Sequence, residues 1–236
     1  MSHRSPIAEN IAEIQRRIAA TAHRCGRDVS EIALMAVTKT QPVESIAAAY
    51  EAGIRYFGEN RVQEFAAKRD QLSALKGARF SLIGRLQSNK AGRAAELFSE
   101  IQSVDSLRIA ERLHNLIQQS GRSPLPVLIE INCGDPAKAG MDPDSAELAD
   151  LLRSAERLTS LRIRGLMTIP PFDSTTEAAR PYFRRLRELR NRIAHSAFPQ
   201  VEMSTLSMGM SHDFEVAIEE GSTCVRIGTA IFGARS

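Results

Sequence analysis

Two stretches of the chain carry residue types that could do chemistry together. In the first, Val37-Thr38-Lys39, a lysine directly follows the apolar run 32–38. A lysine held at the end of a buried strand loses hydration. Desolvation disfavours the ammonium, lowers the pKa and leaves an amine able to attack an aldehyde. Taken alone, such a lysine more often snorkels its head to solvent. The second stretch shifts that balance. The runs 201–207 and 224–228 lead into Ser207-Met208-Gly209-Met210-Ser211 and Gly228-Thr229-Ala230, small hydroxylated turns that approach helix N-termini. Unpaired backbone N–H groups at such turns favour an anion, although Ser211 or Asp213 could equally be a plain helix cap. An aldehyde-reactive amine and an anion cradle together describe a ligand with both an aldehyde and a phosphate.

These residues matter only if the fold brings them together. After an opening helix over 6–24, strand and helix signals alternate to the end of the chain. The apolar runs 32–38, 55–58, 80–84, 100–104, 126–132, 163–169, 201–207 and 224–228 are short, as expected of strands buried on both faces. Helical patterns over 43–52, 60–74, 88–97, 106–120, 143–157, 175–195 and 213–220 separate them, often punctuated by Gly or Pro. The rhythm predicts an α/β fold: one (β/α)8 TIM barrel with an extra N-terminal helix, a single domain over 1–236. The runner-up is an open doubly wound sheet, but no GxGxxG follows the first strand. In a barrel the active site lies at the C-terminal strand ends, and the loops after strands 7 and 8 usually hold phosphate. The same rule brings Asn60 to the mouth after strand 2, the basic loop 84–90 after strand 3, and Met167-Thr168 on strand 6. Met167 is of a type more often found in cores.

Composition excludes several alternatives. A hydrophobic fraction of 43% supports a large core, and a net charge of +3 implies no strongly electrostatic partner. The arginines at 184, 185, 187, 190 and 192 alternate with Leu186, Leu189 and Ile193 at helical spacing, which reads as the solvated face of an amphipathic helix. No nucleic-acid partner is expected. Cys25, Cys133 and Cys224 are odd in number and far apart, so neither a disulfide framework nor a zinc site is expected. No stretch has the length of a membrane span, and the polar start lacks a signal-peptide core. The expectation is a soluble, cytoplasmic protein, monomeric rather than oligomeric.

The motifs AVTKTQP (36–42), FGENRVQE (57–64), IGRLQSNK (83–90), RGLMTIP (164–170) and LSMGMSHDFEVAIEEGSTCVRIGTAIFGAR (206–235) resemble the pyridoxal phosphate homeostasis proteins. That family is similar in turn to the barrel domain of alanine racemase. The resemblance implies pyridoxal 5′-phosphate held covalently, as a Schiff base, on Lys39. It implies phosphate contacts from Ser207, Gly228 and Thr229, Arg226 beside the pyridine nitrogen, and Asn60 and Met167 close to the cofactor. Arg85 and His212 depart from the family pattern, both in loops at the mouth.

Three functions compete: a carrier that holds and releases the cofactor, an amino-acid racemase, and a Schiff-base aldolase. A racemase needs a second acid/base opposite the lysine. In alanine racemase that is a tyrosine from a second domain, which is expected to be absent here because Ser236 follows the barrel directly. Tyr50, Tyr56 and Tyr182 fall in a helix, at a strand start and in a helix. An aldolase would need a carboxylate partner at the mouth, with Glu59 and Glu130 the obvious candidates. A permanently protonated Arg226 would leave the ring nitrogen unprotonated and weaken the ring as an electron sink. The sequence therefore points to a non-catalytic cofactor-binding protein, with apo pyridoxal-phosphate enzymes as candidate recipients.

Overall fold

The structure is a computed structural model describing residues 5–134, 139–171, 175–196 and 198–233. Eight parallel strands close into one barrel in chain order: β1 (Ala33–Val37), β2 (Tyr56–Glu59), β3 (Arg79–Leu82), β4 (Glu100–Val104), β5 (Leu125–Glu130), β6 (Leu161–Met167), β7 (Val201–Ser207) and β8 (Cys224–Ile227). The open-sheet alternative is excluded by the closing pair, in which Ala33 to Ala36 of β1 register with Cys224 to Ile227 of β8.

The outer ring comprises α2 (Val43–Glu51), α3 (Val62–Lys68), α4 (Ala91–Leu97), α5 (Leu107–Ser120), α6 (Ala146–Ser154), α7 (Arg180–His195) and α8 (Phe214–Glu219). The opening helix α1 (Pro6–Arg24) precedes them, and a single turn, α9 (Thr229–Phe232), follows β8. The start of α1 follows from its sequence: the Ser5 hydroxyl accepts from the Ala8 amide, and Pro6 takes the first position, where no amide is needed. Ile11, Ile14 and Ile18 form its buried stripe. In α7 Phe183, Leu186, Leu189 and Ile193 are buried, as the spacing predicts, and Arg184, Arg185 and Arg192 are exposed, whereas the half-buried Arg187 and Arg190 reach Glu220 and the Met203 carbonyl.

Several boundaries differ from the sequence expectation. The 60–74 pattern is helical only over Val62–Lys68 and continues as turns that bury Leu72. The 88–97 and 175–195 patterns each begin with a tighter 3-10 turn, Ser88–Lys90 and Thr176–Ala179. Between β6 and β7 the register shifts at Gly165, whose φ is +155° and where any Cβ would collide with the Thr205 carbonyl oxygen.

The inside of the barrel is more polar than the apolar strand runs suggest. Gln102 donates to the Tyr56 hydroxyl and to Glu100, both at 2.8 Å, and Ser81 donates to the same carboxylate at 2.8 Å. Ser81, Gln102, Tyr56 and Glu100 thus satisfy one another, which offsets the desolvation cost of leaving them unpaired.

Candidate functional site

The C-terminal ends of the strands open into a cavity of about 610 Å³, within the range of small-molecule sites. Lys39, Asn60, Arg226, Gly228 and Thr229 all line it, together with Arg85 and His212. Residues from β1, β2 and β8 that are remote in sequence thus share one space. Met167 and Ser207 are fully buried and are not among the lining residues.

Lys39 is positioned by the segment beneath it. The buried Thr38 hydroxyl donates to Glu59 Oε1 at 2.6 Å, and Lys68 Nζ lies 2.7 Å from that same oxygen. Lys68 also donates to the Thr38 carbonyl at 3.1 Å and to the Gln41 carbonyl at 3.4 Å, so it spans the turn that carries Lys39. Thr40 adopts a left-handed φ of +61°, uncommon for a β-branched residue, and its amide donates to the Glu64 carboxylate. Burial pushes the Glu59 carboxyl up, while Lys68 and Thr38 pull it back down. A buried ion pair therefore fixes a strained turn, and the turn delivers Lys39 to the cavity.

Arg226 is 3% exposed. Its guanidinium donates to the Ser207 hydroxyl at 2.7 Å and to the Thr168 carbonyl at 2.8 Å. Ser207 in turn donates to Gln102 Oε1 at 2.7 Å, joining Arg226 to the polar chain inside the barrel. Ser207 therefore reaches the cavity through Arg226. Burial lowers the Arg226 pKa, and the nearby Cys224, Asp213 and Glu130 oppose that shift.

The two turns after β7 and β8 are tied to each other. Ala230 N donates to Ser211 Oγ at 3.3 Å, and Arg226 N to the Gly209 carbonyl at 2.9 Å. Met210 N donates to Asp213 Oδ1 at 2.5 Å, so Asp213 braces its own turn. Gly209 needs its φ of +95°, and a Cβ there would strike Ala217. A Cβ at Gly228, by contrast, would meet only Val37 at 3.5 Å, so the glycine leaves space on the cavity side. Arg85 Nε lies 3.4 Å from Asp105, and His212 Nε2 lies 3.3 Å from Asp213.

Glu130, the last residue of β5, is the lining residue whose importance the sequence understated. It is 6% exposed, and its Oε2 has no hydrogen-bond partner among the described residues. Burial and the Asp105 carboxylate push its pKa up to about 7, against the pull of Arg226 and Arg85. The strand-end rule alone could have found it, because Glu130 ends an apolar run as Lys39 does. Tyr50 and Tyr56, in contrast, point their hydroxyls at the Lys76 carbonyl and at Glu100, away from the mouth.

This donor set is an amine, a pinned guanidinium and a small turn. It fits a ligand with an aldehyde, an aromatic nitrogen and a phosphate. Comparisons with known proteins agree. The family model "Alanine racemase, N-terminal domain" matches residues 5–236. The pyridoxal phosphate homeostasis protein of Pseudomonas aeruginosa is 43% identical over 232 residues, covering 98% of this chain and 96% of that protein. The protein of the same name from Escherichia coli K12 is 45% identical over 236 residues, 97% of each. PipY of Synechococcus elongatus, solved with PLP bound, superposes with a TM-score of 0.84 at 39% identity, over 96% of this chain and all of that one.

Proposed function

The chain belongs to the pyridoxal phosphate homeostasis family, built on the alanine racemase N-terminal domain, and from that membership we propose that it binds pyridoxal 5′-phosphate at the barrel mouth and holds it for intracellular use without a reaction of its own. The observation that carries the reading is that Lys39, Arg226 and the Gly228–Thr229 turn line one cavity.

When bound, the cofactor supplies an aldehyde and an electron-accepting pyridine ring. Lys39 contributes the amine for a covalent bond, held at the cavity wall by the Glu59–Lys68 pair. Arg226 would face the ring nitrogen, as a donor only. An arginine keeps its proton, so it leaves that nitrogen unprotonated and the ring a weak electron sink. Gln102 and Ser207 hold the guanidinium in place. Gly228 and Thr229, which line the cavity, would give the phosphate close backbone approach, with Ser211 bracing the turn, and Asn60, also lining it, would lie near the cofactor.

The carrier reading is favoured over the racemase. The relatives are named for homeostasis rather than for a reaction, and neither Tyr50 nor Tyr56 presents its hydroxyl to the cavity. Recipients would be apo forms of pyridoxal-phosphate enzymes.

The test is an absorption spectrum of the protein incubated with pyridoxal phosphate, followed by borohydride reduction and peptide mapping. A visible band and a pyridoxyl group on Lys39 are expected. Label found chiefly on Lys90, or on Lys138 outside the described residues, would overturn the assignment.

A further inference from the structure

Glu130 ends β5 and Lys39 lies two residues beyond the end of β1, strands on opposite sides of an eight-stranded barrel, and both line the mouth cavity. Glu130 is nearly completely buried, and its Oε2 has no hydrogen-bond partner among the described residues. A buried carboxyl without a partner costs stability, and such groups concentrate where a ligand completes them. We propose that Glu130 is the amine subsite of the cavity: it receives the ammonium of an incoming primary amine and takes the proton this amine must lose before it can displace Lys39 from the cofactor.

The inference rests on the cofactor reading above and extends it to how the cofactor leaves. The incoming ammonium gives one proton to the Glu130 carboxylate and becomes a neutral amine. Its nitrogen would then bond to the carbon that Lys39 holds through a C=N bond as the π pair moves onto Nζ, and one N–H proton would pass from it to Nζ. The remaining C–Nζ bond would break as the new C=N bond forms, and the freed Lys39 amine would take up the proton Glu130 has stored. No net proton is gained or lost.

The charged surroundings suit a group that must both accept and return a proton. Asp105, after β4, disfavours the carboxylate, while Arg226 from β8 and Arg85 from the loop after β3 favour it. From β6 the register partner is Met167, which carries no charge. His212 Nε2 lies 3.3 Å from Asp213 Oδ2, and Lys138 lies outside the described residues. Burial, with Asp105 beside it, pushes the Glu130 carboxyl up to about 7 against the pull of Arg226 and Arg85.

The test loads wild type, Glu130→Gln and Glu130→Asp with pyridoxal phosphate and follows its release by absorbance from pH 6 to 8.5. Two amines are compared: glycine, which arrives as an ammonium, and methoxyamine, which is already neutral across that range. Release to glycine is expected to be at least about tenfold slower in Glu130→Gln, since a positioned base typically contributes 10²–10⁴-fold. Release to methoxyamine should be unchanged. Glu130→Asp should keep a pH inflection in the glycine rate that Glu130→Gln loses. Normal loading with equal glycine rates in wild type and Glu130→Gln, or equal slowing of both amines, overturns this inference and leaves the cofactor reading standing. Failure of all three proteins to load overturns both.

Discussion

At the scale of single residues, the candidate site divides into groups that fold and ligand both need and one that only a ligand needs. Thr38, Ser207 and Arg226 are buried and hydrogen-bonded within the protein, so these bonds stabilise the mouth with or without cofactor. Glu130 does the reverse. Its carboxyl titrates near 7 in the fold against an ordinary 4.5, so the folded state binds the proton more tightly than the unfolded state does. The stability this contributes is complete below about pH 4.5 and is lost as the pH rises through 7. Glutamine at this position has the same shape and never ionises. Glu130→Gln should therefore match the wild type in urea unfolding at pH 4.5 and exceed it at pH 8, by about 1–3 kcal/mol at roughly 1.4 kcal/mol per pKa unit. A stability gap independent of pH would show that Glu130 ionises normally. The sequence named Lys39, Asn60, Gly228 and Thr229 because a barrel topology assigns strand-end residues to the mouth, and Arg226 through the family resemblance. It could not separate Ser207 from that group, since lining a cavity and bracing a residue that lines it leave the same trace in a strand.

At the scale of elements, turns do the positioning. The strands were legible because burial on both faces makes each a short apolar run, and the helices because their apolar residues recur at helical spacing. Helix α3 was drawn too long. Lys68 reads as a solvated residue on a helix face, yet it is buried and clamps the Lys39 turn to Glu59. Removing one partner of a buried ion pair strands the other. Lys68→Met should cost about 3–5 kcal/mol in denaturant unfolding, and Glu59→Gln added to it should recover much of that loss. If the double variant is no more stable than Lys68→Met, the pair is not what holds the turn. The Gly228–Thr229 turn allows a cleaner test of the ligand. A Cβ at Gly228 meets only ordinary contact with Val37 and the local φ is negative, so a side chain there is tolerated by the protein itself. Gly228→Val should keep its melting temperature and lose about tenfold or more in affinity for pyridoxal phosphate, a little over 1 kcal/mol, while unphosphorylated pyridoxal binds almost as before. Equal weakening of both ligands would place the phosphate elsewhere.

At the scale of the whole molecule, the barrel must close before any of these residues can meet. Closure joins β1 to β8, elements at opposite ends of the chain. Such a pairing leaves no local trace, which is why the sequence kept an open sheet as a rival and only the strand order removed it. Helix α1 covers this seam from outside. Its buried Ile11, Ile14 and Ile18 face inward, Asn10 donates to the Ile231 carbonyl of α9 at 2.9 Å, and Arg17 forms a two-pronged pair with Glu215 of α8 at 3.0 and 3.2 Å. α9 begins at Thr229, so the same helix that covers the seam also supports the proposed phosphate turn. Damage to α1 should therefore reach the ligand, whereas equal damage on the opposite side of the barrel should not. Ile14→Ala and Leu151→Ala, the second in α6, each remove a fully buried branched side chain and should each cost about 2–5 kcal/mol in urea unfolding. Under conditions where both remain folded, titration followed by cofactor absorbance should show Ile14→Ala binding several-fold more weakly than wild type. Leu151→Ala should stay within about twofold, because separated sites perturb one another by only about 0.3–0.5 kcal/mol. Equal affinities in the two variants would make α1 a source of stability alone. Selective weakening in Ile14→Ala would mean that the helix added outside the eight-fold repeat holds the seam, and with it the phosphate turn, in its binding geometry.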